Sequence, residues 1–85
     1  MYKNISEVKV GTYVGGVPPT LSESTPENFR VGKVIFVSDK RPWCTIQTAH
    51  YNTVLEIGSI YSDDELVEMG IFTEDQLSEL RRTIG

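Results

Sequence analysis

Eighty-five residues with a net charge of −4 leave room for one small acidic domain and exclude a second independently folding unit. A single cysteine, Cys44, excludes an internal disulfide, and Cys44 with the lone His50 falls short of the four ligands of a structural zinc site. The longest purely apolar run, residues 34–37, is too short to span a bilayer, and the first residues lack the layout of a signal peptide, so a reducing, cytoplasmic setting is expected.

Charge is polarised along the chain. Up to Trp43 six bases face four acids; from Cys44 onward eight acids face only Arg81 and Arg82. The basic residues form at most a corner, whereas duplex nucleic-acid binding calls for a concentrated basic surface. A chain this short buries only about 60% of its unfolded surface, so self-association would add useful buried area and a homo-oligomer is a natural expectation.

Residues 7–14 alternate with period two, placing Val8, Val10, Thr12 and Val14 on one side and Lys9 and Tyr13 on the other, which predicts a half-buried strand. Gly11 in its middle predicts a bulge or a close backbone approach. Residues 15–28 hold three of the four prolines and read as a long loop, with Gly15 and Gly16 marking a turn and the remainder serving as a tether or a binding arm. Within it, Thr25, Pro26 and Glu27 suit the opening of a single helical turn.

Residues 31–38 are rich in β-branched and aromatic side chains, with Val34, Ile35, Phe36 and Val37 apolar in succession, the pattern of a central strand covered on both faces. Asp39, Lys40, Arg41 and Pro42 make a turn, after which Trp43, Thr45 and Gln47 alternate with Cys44, Ile46 and Thr48 in a second strand of a hairpin. Another strand is expected at residues 53–57, ending at Gly58.

The last quarter, residues 62–84, is helical. Ser62 with Glu65 and Thr73 with Gln76 have the spacing of capping boxes, and Tyr61 with Leu66 and Phe72 with Leu77 that of hydrophobic staples. Gly70 stands where a left-handed helix end is wanted, so helices are predicted at residues 63–69 and 74–83. Leu66, Met69, Leu77, Leu80 and Ile84 form the stripe that would cover the sheet. Strands first and helices last predict an α+β fold: a small curved antiparallel β-sheet or partly open barrel followed by two short C-terminal α-helices.

No catalytic constellation is present. A Cys44–His50 nucleophilic pair lacks an orienting third residue, and Cys44 beside Trp43 reads as a small buried hydrophobe. Asp63, Asp64, Glu65 and Glu68 lack the glycine-turned spacing of a calcium loop and are explained by helix starts. Gly15-Gly16 has neither the spacing nor the lysine of a phosphate loop. No cofactor or metal is therefore expected.

Two surfaces remain for binding. Lys40, Arg41 and Trp43 at the hairpin tip combine the residue types enriched in protein-binding hot spots. Asp63, Asp64 and Glu68 belong to eight acids between positions 56 and 79 with no base among them, a surface able to imitate a nucleic-acid backbone. The leading expectation is a non-enzymatic regulator or inhibitor of the compact kind that phages and mobile elements encode, acting by contact with a protein partner. The alternatives are a homo-oligomer that sequesters a nucleotide-like molecule at Lys40, Arg41 and Trp43, an acidic nucleic-acid mimic, and a structural assembly subunit.

Overall fold

In a computed structural model, which describes residues 1–21 and 23–84, five antiparallel strands form one sheet and two helices follow it. The strands are β1 (Tyr13–Gly16), β2 (Arg30–Val37), β3 (Trp43–Gln47), β4 (Asn52–Glu56) and β5 (Tyr61–Ser62); the helices are α1 (Asp63–Glu68) and α2 (Glu74–Ile84). Spatial order is β4-β3-β2-β1-β5, so β4 and β5 are the edges. No helix among the described residues is long and apolar enough to cross a membrane.

The sheet is curled into a partly open barrel, and small residues permit the curl. A Cβ built on Gly16 of β1 would come within 3.5 Å of Leu55 Cδ1 on β4, although β2 and β3 lie between those strands in the sheet. The enclosed face holds a core of Val8, Val14, Val34, Cys44, Ile46, Leu55 and Ile60. Gly15 and Gly16 therefore do not mark a turn: both are buried in β1, paired with Val31 and Arg30. The reading fails because a glycine needed for close approach looks, in sequence, like one needed for a turn.

The apolar run of β2 is resolved by a bulge instead of by cover on both faces. Val34 pairs with Ile46 and Phe36 with Thr45, leaving Ile35 as an extra residue. The insertion shifts the side-chain alternation, so that Val34 and Val37, three apart, both pack on the enclosed core. Ile35 and Phe36 stay out of it, 39% and 51% exposed. Gly11 packs opposite this irregularity: its N–H donates to the Val34 carbonyl (2.8 Å), and the Val34 N–H donates to that of Thr12 (2.8 Å).

The strand expected over residues 7–14 is displaced toward the C-terminus. Ile5–Glu7 is a 3-10 turn; the Glu7 carboxylate accepts from the Asn4 and Lys3 N–H groups (2.9 and 3.1 Å), which hold its pKa below the usual value. The Thr12 N–H then bonds the Lys9 carbonyl (3.2 Å) around Gly11, whose φ of +94° suits the third position of a tight turn. That turn breaks the alternation, burying Val8 and Val14 while leaving Val10 exposed. Local hydrophobic period overstated the strand because it carries no information about φ.

The helix signals hold in detail. Ser62 Oγ accepts from the Glu65 N–H (3.3 Å) while Glu65 Oε1 accepts from that of Ser62 (3.0 Å), and Thr73 and Gln76 repeat the exchange at 3.1 and 2.8 Å. Gly70, at φ +74°, ends the first helical segment. Leu66 and Leu77 are buried and Leu80 packs beside them in a second core with Val17, Phe29 and Val31 on the outer face of the sheet. Met69, expected in the same stripe, is exposed: it is the C-cap of α1, where the chain turns at Gly70. The expected binding arm is also folded back. Val17 and Phe29 are buried, Leu21 packs on the second core, and Pro26–Asn28 forms the foreseen single turn; Ser22 lies outside the described residues.

Candidate functional site

Side chains on the outer face line up across the sheet. Tyr13, Lys33, Gln47 and Asn52 form one row; Phe36, Thr45 and Val54 form the next; Trp43 faces Glu56 beyond them. The helices take the β5, β1 and β2 side: α1 packs on β1 and β5, and α2 on β2. The first row is covered by α2 only at its β1 end, where Arg81 lies over the Tyr13 ring at 5.7 Å and Lys33 lies 6.0 Å from the same ring, while Gln47 and Asn52 are exposed. The second row stays open. Phe36 and Trp43 pack on one another with ring centroids 5.6 Å apart and planes inclined by 42°, which holds two large apolar side chains in a defined arrangement at the surface.

The turn beside them is tied down. The Arg41 and Lys40 N–H groups donate to the buried Ser38 Oγ (3.0 and 3.4 Å), the Ser38 N–H donates to the Trp43 carbonyl (3.2 Å), and the Pro42 carbonyl accepts from Ile57 (2.9 Å). Lys40, Arg41 and Pro42 are left exposed on a backbone that is already ordered, which lowers the entropy lost on binding. Trp43 is half-buried, with one side against Phe36.

The structure brings Lys40, Arg41 and Trp43 together and adds Ile35 and Phe36, which sequence reasoning had placed inside. No local signal marks them: a four-residue apolar run reads as a strand covered on both faces, and only the bulge in β2 leaves this pair outside.

The acidic set is less uniform than its sequence. Asp63 is ion-paired with Arg81 and turned toward the fold, one carboxylate oxygen being buried without a hydrogen-bond partner. Glu65 is engaged in the capping box of α1, and Glu79 is ion-paired with Arg82. Asp64 and Glu68 are exposed. Arg81 enters the cleft between the helices, about 270 Å³, that Asp63, Asp64 and Glu74 line. The base-free stretch of sequence is thus not a base-free surface, because the α1–α2 turn folds Arg81 back against the start of α1. No group of three or more metal-ligating side chains is assembled among the described residues.

Cys44 and His50 are kept apart. Cys44 is fully buried in the enclosed core near one end of β3, while His50 is exposed in the turn beyond the other end, roughly 13 Å of strand away. Burial pushes the Cys44 thiol up to about 11. The thiol is therefore protonated in the folded state where an unfolded chain would already ionise, and the stability this confers is present below pH 9 and lost as pH rises toward 11. Native protein is expected to resist an aromatic disulfide reagent at pH 8 and to react at once in denaturant. Stoichiometric reaction of the native protein would show Cys44 to be accessible.

Comparison of the chain with protein-family models, with curated proteins and with solved structures finds no match.

Proposed function

We propose that this chain is a non-enzymatic binding protein that regulates or inhibits a partner protein by docking it on the open outer face of the β2–β3 hairpin. The observation that carries the reading is the exposure of Phe36 against Trp43, with exposed Ile35 next to it in the chain, on a sheet whose helices leave that row uncovered. Grouped aromatic and aliphatic side chains at a surface mark contact sites when a charged rim frames them. Here Lys40 and Arg41 supply the basic side of a rim that Asp39 and Glu56 make acidic elsewhere, and the partner that fits is a protein with an apolar ridge that sets a carboxylate against Arg41. Rigid aromatic anchors lose little entropy on binding, and an arginine at the rim fixes orientation and raises the encounter rate.

The test is quantitative cross-linking and capture from the native host with wild-type and variant chains. Phe36→Ser and Arg41→Glu are each expected to lower capture of one host protein at least about tenfold, while circular dichroism stays that of the folded chain, as expected for exposed positions. An Asp64→Lys, Glu68→Lys variant is expected to retain it. The opposite pattern, loss with the acidic-face variant and retention with both hairpin variants, would replace this reading with the nucleic-acid-mimic one.

A further inference from the structure

β2 runs past its neighbour on one side. β1 begins at Tyr13, opposite Lys33, and the residues before it turn away through Lys9, Val10 and Gly11. Among the described residues, the end of β2 therefore has β3 on one side and no strand on the other. The backbone groups that look into this space follow from the ladder. The Thr48 N–H donates to the Tyr51 carbonyl and the Ile57 N–H to that of Pro42, so alternation along β3 turns the groups of Cys44 and Ile46 toward β4. Their partners on β2, Val37 and Val34, direct N–H and C=O away from β3. At Val34 both are taken, by the Thr12 carbonyl and the Gly11 N–H (2.8 Å each). The bulge at Ile35 makes Val37 the next residue with this orientation, and no group among the described residues bonds its N–H or its C=O. On the same side Val37 lines a groove of about 480 Å³, with Ile5, Val8 and Val10 across from it and Lys9 and Asp39 beside them.

We infer that this notch is a strand-addition site: an extended segment of the partner protein lies in the groove antiparallel to β2, and one of its residues exchanges both backbone bonds with Val37. The inference rests on the hairpin-face reading, whose exposed Phe36 is the next residue of β2, and it names the form in which the partner arrives. An extended backbone is the occupant because the unmet groups are one residue's donor and acceptor in strand geometry, which a helix, with its own groups paired along its axis, cannot satisfy. Register sets the side chains. The residue opposite Val37 points with it toward the enclosed face, where Val37 packs with Ile5 and Val8, and is apolar. Its two neighbours point to the outer face beside Phe36. Charge sets the flanks: Lys9 belongs to the turn at the Val34 end and Asp39 stands two residues past Val37, so the antiparallel segment carries a basic residue before the apolar one and an acidic residue after it.

Amide hydrogen exchange followed by NMR tests the premise on the free chain. The Val37 amide is expected to exchange at least about a hundredfold faster than those of Phe36 and Ser38, whose N–H groups face β3. Equal protection would overturn the inference, because the chain itself would fill the notch. A blocked peptide of sequence lysine-threonine-valine-threonine-glutamate, titrated to about 10 mM, tests the occupant. It is expected to slow exchange at Val37, and the same peptide N-methylated at its valine to bind at least about tenfold more weakly. No change at Val37, or equal binding of the methylated peptide, would overturn the inference. Capture of the host partner separates it from the hairpin-face reading. A folded Val37→Pro chain, which lacks the outward N–H and keeps the bonds to β3, is expected to lose capture as Phe36→Ser does. Capture lost with Phe36→Ser and kept with Val37→Pro would retain that reading and reject this one.

Discussion

A Gly16→Ala chain is expected to lose at least about a third of the stability of the wild type. The added Cβ would sit 1.7 Å from the Ser59 carbonyl oxygen and 2.9 Å from its carbon, both backbone atoms that cannot swing aside as a side chain would. Ser59 is itself held: its N–H bonds the Glu56 carbonyl (3.0 Å), and its one hydroxyl proton lies between the Glu56 and Val17 carbonyls, each 3.2 Å from Oγ. Relieving the clash means lifting the β4–β5 connection off β1, which opens the partly closed barrel and uncovers Ile60, a fully buried residue of the enclosed core. A cost above about 4 kcal/mol is expected, in the range reserved for core strain. At about 0.05–0.15 kcal/mol per residue, a chain this size has about 4–13 kcal/mol in all, so the loss is at least about a third of its stability. Gly58→Ala is the control. Its Cβ meets nothing within 4 Å, and only its φ of +100° is adverse, so a loss of about 1–2 kcal/mol is expected. Urea unfolding followed by circular dichroism reads both, and a Gly16→Ala midpoint close to that of wild type would show that β1 and the Ser59 segment are not in contact.

Leu66→Ala is expected to cost about 3 kcal/mol, and a second substitution should return part of it. Leu66 is fully buried and joins α1 to the sheet where β1 has no side chain, its Cδ1 lying 2.6 Å from the position a Gly15 Cβ would take. Gly15→Ala alone is therefore overpacked, against Val31 Cγ2 (3.1 Å) and the Arg30 carbonyl oxygen (3.3 Å) as well, and should lose about 1–3 kcal/mol. In the double variant the new methyl enters space that the shortened residue 66 vacates. The loss should fall below the sum of the two single losses by about 1–2 kcal/mol. Strict additivity would mean that Leu66 and Gly15 do not share a cavity, and with it the packing of α1 on β1 would be refuted.

These two glycines show where sequence reading stops. Gly15-Gly16 next to a proline-rich stretch has the local composition of a turn, and nothing within ten residues of it reveals that Leu66 and Ser59 arrive from forty or more positions away. Ile35 and Phe36 teach the same lesson at the surface. A run of four apolar residues predicts two covered faces, but one inserted residue in β2 turns Val34 and Val37 to the same side and leaves the pair between them exposed. The hairpin-tip residues Lys40, Arg41 and Trp43 were legible because turn chemistry and alternation are local. Their aromatic neighbour Phe36, opposite Thr45 across the ladder, was not.

By itself the sequence determined the α+β class, the hairpin around residues 39–42, both capped helices and the burial of Cys44, Leu66 and Leu77. Each of these depends on hydrogen bonds or side-chain periods spanning fewer than about five residues, so the chain encodes them without reference to distant segments. Only the tertiary structure decided that β1 begins at Tyr13, that the sheet curls until Gly16 meets Ser59, that Arg81 pairs with Asp63, and that one aromatic pair remains exposed. These depend on which strands are neighbours and where a short pair of helices can reach. With two helices of six and eleven residues to cover one face of a five-stranded sheet, part of that face is left exposed.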